Sequence, residues 1–238
     1  MNCVILQPSY IPWRGYFHQI YKADVFIFYD DVQYDKNGWR NRNRIKTRNG
    51  PIWLTIPVLH RGSVSEQIPI LEIRIDRSKD WNRKHWMSIQ QSYTKAPFYT
   101  QYAPLLEDYL QQKPDSLANF TIALTIALSQ AIGIQKTRFV RSSELSESGP
   151  ESIVLKRTDR LVDLLYKVGA THYISGPAAR DYLEEDKLAK AGISLEYMVY
   201  DYPEYPQLYP PYDPSVSIID LLFMTGPQAG KYIWSKTD

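Results

Sequence analysis

Residues 3–31, CVILQPSYIPWRGYFHQIYKADVFIFYDD, decide the fold. CVILQ (3–7) is a short uncharged apolar run closed by Pro8, the pattern of a strand buried on both faces. A loop stiffened by two prolines follows. GYFHQIYKAD then sets Tyr16, Ile20 and Ala23 on one side of a short helix. VFIFYD (25–30) is a second apolar strand, running into the acidic pair Asp30–Asp31. Strand, loop, helix and strand in fewer than thirty residues make a βαβ unit. Such a unit implies a parallel sheet with a right-handed crossover.

Beyond that unit the chain changes character. Between Asn37 and Val58, Asn49-Gly50 is a strong turn signal separating WRNRNRIKTR from PIWLTIPV, which predicts a β-hairpin. EQIPILEIRID (66–76) reads as extended. Helical periodicity runs over 81–93, 98–112 and 116–132, the last capped near Gly133, and predicts a helical subdomain over about 80–133. KTRFVRSS (136–143) reads as a strand, SESGPES as a linker and 152–168 as an amphipathic helix. THYISG (171–176) and ISLEYMVY (193–200) read as strands, and PAARDYL as a helix opened by proline. DYPEYPQLYPPYDPS (201–215) holds five Pro and four Tyr, too much proline for regular structure and too many aromatics for a linker. Ser217 caps a last helix closed near Gly226. The expected fold is α/β, one domain over 1–238. It has a Rossmann-like parallel sheet with helices, an inserted β-hairpin and the helical subdomain, and its ligands lie at strand–loop–helix junctions.

Composition excludes several classes. The chain has 238 residues, and 28 Lys plus Arg against 26 Asp plus Glu give a net charge of +2, so no global basic field exists for nucleic acid. One cysteine, Cys3, rules out an internal disulfide and a cysteine-based zinc site. Four scattered histidines lack metal-binding spacing, so no metal is expected. No apolar run reaches membrane-spanning length, and the N-terminus lacks both a basic region and a long apolar core. A cytoplasmic protein without membrane insertion is the expectation. Nineteen Tyr and six Trp against seven Phe favour rings with a polar handle, which suit polar clefts or cores that supply partners.

Four constellations could carry chemistry. In QPSYIPWRGYFHQI (7–20), Gln7 ends a strand, and Gly15 would let a ligand approach a helix N-terminus whose free N–H groups favour phosphate. The alternative is a rigid turn with Tyr10, Trp13 and Tyr16 as a packed cluster. In RNRNRIKTR, Arg40, Arg42, Arg44, Lys46 and Arg48 alternate, so a strand places them on one face as an anion site. The alternative is a solvated face or a positive edge. Asn41 and Asn43 point the other way, toward a sugar or an adjacent loop. Asp30, Asp31 and Gln33 stand at a strand's carboxyl end, placed for a ribose, Mg²⁺ or an attacking amine, or for salt bridges with the basic strand. Tyr173, Ser175 and Gly176, followed by Arg180 and Tyr182, mark a second such junction. Lys156, Arg157, Asp159 and Arg160 read as an exposed mixed-charge face. His18, in a helical segment beside aromatics, is a catalytic candidate or a satisfied structural histidine, and Cys3, in a buried strand, is not expected to be a nucleophile.

QPSYIPWRGYF, followed by ADVFIFYDDVQYDKNGWRNRNRIKTRNGPIWLTIPV, resembles the WbqC-like family, and the likeness continues through WNRKHW, SYTKAPFY, THYISGPAARDYL and SIIDLLFMTG. The resemblance implies a place in bacterial O-antigen or surface-glycan assembly and a glycine or aminoacyl transferase role. A weaker, fold-level similarity is to nucleotidyltransferases and class I synthetases, pantoate–β-alanine ligase among them. Trp13-Arg14-Gly15-Tyr16 stands where those proteins carry His-x-Gly-His.

Together these readings imply an amide-forming transferase, ATP-dependent in one version, acting on a nucleotide-activated amino sugar; the other reading is a non-catalytic nucleotide-sugar or glycan-binding scaffold. The cofactor is unnamed, with a nucleotide sugar or ATP allowed, and a homodimer is allowed. Asp30, Asp31 and His18 are the catalytic candidates. Gln7, Tyr10, Trp13, Gly15, Tyr16, Arg40, Arg42 and Lys46 are assigned to the nucleotide. Gln33, Asn41, Asn43, Tyr173, Ser175 and Gly176 are assigned to the second substrate.

Overall fold

A computed structural model of the chain describes residues 1–59, 68–145 and 158–234. In chain order the elements are β1 (Asn2–Leu6), α1 (Arg14–Lys22), β2 (Val25–Phe28), β3 (Arg42–Thr47), β4 (Gly50–Thr55), β5 (Val58–Leu59), β6 (Arg74–Ile75), α2 (Trp81–Tyr93), α3 (Tyr99–Gln111), α4 (Leu117–Ala131), β7 (Arg138–Arg141), α5 (Ser142–Leu145), α6 (Thr158–Val168), β8 (His172–Ser175), α7 (Glu185–Lys190), β9 (Ser194–Tyr197) and α8 (Ile218–Thr225). Two compact units emerge. The first comprises Met1–Gln7, His18–Asp31 and Lys136–Asp201; the second comprises Pro8–Phe17, Val32–Gln135 and Tyr202–Asp238.

The first unit is the α/β body. Its five strands run β7-β2-β1-β8-β9, and every neighbouring pair is parallel. Counted along the chain within this sheet, the order is 3-2-1-4-5, the doubly wound arrangement in which the winding reverses between β1 and β8. The apolar run CVIL explains why β1 is central. Cys3 and Val4 are 0% exposed, covered on both faces of the sheet. On one face Cys3, Ile5, Val25, Ile27 and Tyr173 pack with Leu161, Leu164, Leu165 and Val168. The i, i+3, i+4, i+7 spacing of those last four makes one stripe of α6. Each fully buried Leu in it contributes roughly 1.5–3 kcal/mol of transfer free energy. Phe26 and Phe28 alternate onto the opposite face and meet Phe139, with ring centroids 6.1 and 5.7 Å away.

The second unit holds the hairpin and the long helices. β3 and β4 pair antiparallel in the register Arg42↔Thr55 to Thr47↔Gly50, as the Asn49-Gly50 turn predicts. The helices expected at 81–93, 98–112 and 116–132 form α2, α3 and α4, and belong to the same compact unit as the hairpin. Ser116 caps α4 by accepting from Asn119 N, and Ser217 caps α8 by accepting from Ile219 N. Gly226 ends α8 at φ +51°, and a Cβ there would lie 2.4 Å from the Phe98 ring, so both backbone and packing demand glycine.

Three local expectations are corrected. PAARDYL is a single 3₁₀ turn over Pro177–Asp181, because one turn already buries Ala179 and Leu183 in the core. KTRFVRSS ends as a strand at Arg141, and Ser142 opens α5. The described part of 66–76 is a 3₁₀ turn at Ile70–Glu72 and a two-residue strand paired with β5. The linker SESGPES, the start of the 152–168 helix, Lys156, Arg157 and His60 lie outside the described residues.

Candidate functional site at the carboxyl edge of the parallel sheet

In the first unit, β2 and β7 end side by side, since Phe28 pairs with Arg141. Their next residues are therefore neighbours at the edge where doubly wound sheets bind ligands. Asp30 is fully buried. Its Oδ2 accepts from Arg141 Nε at 2.6 Å and Ser143 Oγ at 3.0 Å, and its Oδ1 accepts from Ser143 N at 3.1 Å. Ser142 Oγ lies 3.1 Å from Asp30 Oδ1 and 2.5 Å from Asp31 Oδ1. With one proton to give, that hydroxyl donates to the nearer carboxylate.

Asp31 differs from its neighbour in exposure. Its side chain is 19% exposed, and its Oδ2 accepts from Arg160 Nη2 at 2.8 Å. Arg160, whose side chain is 8% exposed, also donates to Asp163 at 3.0 Å and bonds Tyr29. The exposed mixed-charge face expected around Arg160 is thus corrected, because the guanidinium is drawn inward by Asp31 from another element. Burial pushes the Tyr29 phenol up to about 12, and Asp31 adds to that push while Arg160 opposes it. Tyr173 is buried with its hydroxyl 3.4 Å from Ser175 Oγ, and burial raises its phenol as well. Gly176 lies against Tyr200, whose hydroxyl would sit 3.5 Å from a Cβ and accepts from Gln19 Nε2 at 2.9 Å. Gln19 is 4% exposed, and its Oε1 has no hydrogen-bond partner. Gln7 is half-buried just past β1, His18 is buried in α1, and burial pushes the Cys3 thiol up to about 12.

The remaining candidates lie in the second unit. Tyr10 is buried, with its hydroxyl 3.0 Å from His85 Nδ1. Tyr16 is buried beside Phe17, with ring centroids 6.2 Å apart. A Cβ at Gly15 would stand 2.3 Å from the Trp13 indole, so the small residue admits a tryptophan of its own chain. Gly15→Ala is expected to destabilise the protein by about 1–3 kcal/mol, the usual range for overpacking. Thermal denaturation checks this, and an unmoved curve would mean that the indole swings aside freely. Arg14, 4% exposed, donates to Pro203 O and Tyr212 Oη, both at 2.8 Å, and stacks over Tyr202.

The alternating cations separate into different environments. Arg42, Arg44 and Lys46 share one face of β3, while Arg40 precedes the strand and Arg48 follows it. Arg40 pairs with Asp35 at 3.5 Å. Arg44 donates to Ser215 O at 2.9 Å, and Lys46, 3% exposed, donates to Pro211 O. The Tyr-Pro segment therefore supplies carbonyl acceptors to this cation row. Asn43 donates to Tyr10 O and Ile11 O, and Asn41 to Ile56 O, so both hold neighbouring backbone. Gln33 makes an isolated bridge to Pro69.

The sequence reading missed Tyr29, Arg141, Ser142, Gln19 and Tyr200. Arg141 and Ser142 carry a legible signal, since they stand at the carboxyl end of a strand as Asp30 does. Gln19 and Tyr200 carry none, because their meeting depends on strand order. Among the described residues no three His, Cys, Asp or Glu side chains come together to hold a metal ion, and no helix is long and apolar enough to cross a membrane.

Comparison of the chain with known proteins identifies its family. No solved structure matches the chain. An uncharacterised protein of Mycobacterium tuberculosis (strain ATCC 25618 / H37Rv), Rv1507c, is 38% identical over 231 residues, covering 96% of each chain. The profile of the WbqC-like protein family matches residues 7–232. The chain belongs to the WbqC-like protein family.

Proposed function

We propose that the chain is an amide-forming transferase that passes an acyl or aminoacyl group, glycine among the candidates, to the amine of a nucleotide-activated amino sugar for a bacterial surface polysaccharide. The supporting observation is Asp31. It is a partly exposed carboxylate fixed by Ser142 and Arg160 at the carboxyl edge of a sheet in 3-2-1-4-5 order. Asp30, saturated and closed to solvent, holds that edge in place, and Asp31 orients the amine. The amine nitrogen attacks the acyl carbon, the N–C bond forms as the bond to the leaving group breaks, and the proton passes through Asp31 to water. Where the donor is a free carboxylic acid, ATP first converts it to an acyl adenylate and pyrophosphate; AMP is then the leaving group.

A second reading, a nucleotide-sugar or glycan-binding scaffold without catalysis, is favoured by one observation. Trp13 and Tyr16 replace the two histidines of the related adenylyl-transfer motif, and the Trp13 indole fills the space beside Gly15. Incubation with nucleoside-diphosphate amino sugars, glycine and ATP, followed by mass spectrometry, separates the two. The transferase gives a new amide product, and Asp31→Asn lowers its turnover roughly 10²-fold or more while the protein stays folded. Calorimetric binding with no new mass for any donor establishes the scaffold instead, and full activity in Asp31→Asn removes Asp31 from the chemistry.

A further inference from the structure

The outer face of the hairpin carries a feature that the transferase reading leaves unused. Trp39 and Trp53 are each 46% exposed and lie side by side, with ring centroids 5.3 Å apart and planes inclined at 37°. Trp53 stands opposite Arg44 in the β3–β4 register and diagonally across from Arg42. The Arg42 guanidinium lies 4.5 Å and that of Arg44 5.8 Å from the Trp53 ring centroid. Two neighbouring indoles left this open are costly to solvate, and such patches on soluble proteins mark binding sites.

The guanidinium groups narrow the ligand class. Arg42 spends one donor on Asn37 O, and Arg44 uses Nη2 on Ser215 O. The Nε–H groups of both have no acceptor but are closed to solvent, and Arg44 also pairs with Asp213 at 3.9 Å, so a ligand meets the half-buried Arg42 at its terminal nitrogens. Flat aromatic surface beside the half-buried Arg42 guanidinium suits a ligand that joins a planar ring to an anion. A neutral pyranose would use the indoles and leave the cations idle. A purely inorganic anion would do the reverse.

We infer that the Trp39–Trp53 pair and Arg42 form a nucleotide-binding platform, on which a nucleobase stacks against Trp53 and a phosphate meets Arg42. The inference rests on the reading that a nucleotide-linked molecule is among the ligands. Base stacking on an aromatic ring tolerates any base, so the platform sets affinity more than base identity. The phosphate contact makes binding weaken as salt rises.

The test titrates UDP, dTDP, GDP and ADP into the full chain, following tryptophan fluorescence and calorimetry. Trp53→Ala is expected to weaken binding roughly tenfold or more and to remove most of the quenching. Arg42→Gln weakens binding and flattens its salt dependence. Trp53 is partly exposed on a two-stranded ribbon, so its loss leaves the fold intact, which circular dichroism checks. Nucleotide binding unchanged in both variants overturns the platform while leaving the transferase reading standing. Binding of no nucleotide by the wild type overturns both. Binding of neutral oligosaccharides in place of nucleotides overturns the platform, as does a change of oligomeric state in Trp53→Ala without a change in affinity.

Discussion

Asp30→Ala is expected to cost about 3–5 kcal/mol of stability, the range for removing one partner of a buried ion pair. For a chain of this size the melting temperature then falls by roughly 10 °C. The magnitude follows from what the carboxylate serves. It neutralises Arg141, whose side chain is only 26% exposed, and it accepts from the Ser143 backbone N–H and hydroxyl. Its own backbone N–H donates to Ser142 Oγ at 3.1 Å, so one residue ties the ends of β2 and β7 together. Alanine removes the acceptors that Asp30 supplies to a half-buried guanidinium and to a turn of α5. Asp30→Asn keeps the shape and loses the charge, so it falls between alanine and wild type. The Asp80–Arg83 pair gives the contrast, with side chains 51% and 67% exposed. Solvent and salt screen such a pair, and Asp80→Ala should leave the melting curve in place. Overlaying curves for Asp30→Ala and wild type would show that the network is worth no more than a surface pair.

How far the sequence exposes this site depends on the range of the interactions. The βαβ unit, the hairpin and the three long helices rest on local periodicity and turn chemistry, and those are legible. The carboxyl-edge position of Asp31 follows from the same local pattern. Its partner does not, because Arg160 lies 129 residues away in a run whose alternating signs look solvated. The cation row on β3 is equally readable as a pattern, yet Lys46 finds its acceptor 165 residues on, at Pro211. The tyrosine surplus divides in the same way. Tyr93 and Tyr205 donate to buried Asp220, and Tyr212 receives a hydrogen bond from Arg14. Composition announces that polar handles need partners, and only the fold says which partners they have.

Acidification from pH 6.5 to about 4 is expected to remove roughly 3 kcal/mol of stability through His85 alone. His85 is 5% exposed on α2, and burial lowers its imidazole from 6.5 to about 4, with a hydrogen bond to the Thr55 backbone opposing that fall. The neutral ring fits its surroundings: it donates to the Thr55 carbonyl, accepts from the Tyr10 hydroxyl at Nδ1 and stacks on the Tyr10 ring 5.6 Å away. Between those two pH values the unfolded chain binds a proton that the folded chain refuses. Stability is therefore complete above 6.5 and falls as the pH drops through the window. Asp220 works in the opposite sense, since burial raises its carboxyl above 3.8 despite the hydrogen bonds from Tyr93, Tyr205 and Gln207. Above 3.8 the folded state holds that proton more readily than the unfolded state, so its contribution weakens as pH rises. His85→Gln separates the two effects. Glutamine does not titrate, while Asp220 and the surface carboxylates are common to both proteins and cancel in the difference. Urea unfolding at a series of pH values should show the wild type losing stability more steeply than His85→Gln between 6.5 and 4. Parallel curves across that interval would mean that the folded protein accommodates the imidazolium beside Tyr10, and that acid unfolds this unit through its carboxylates.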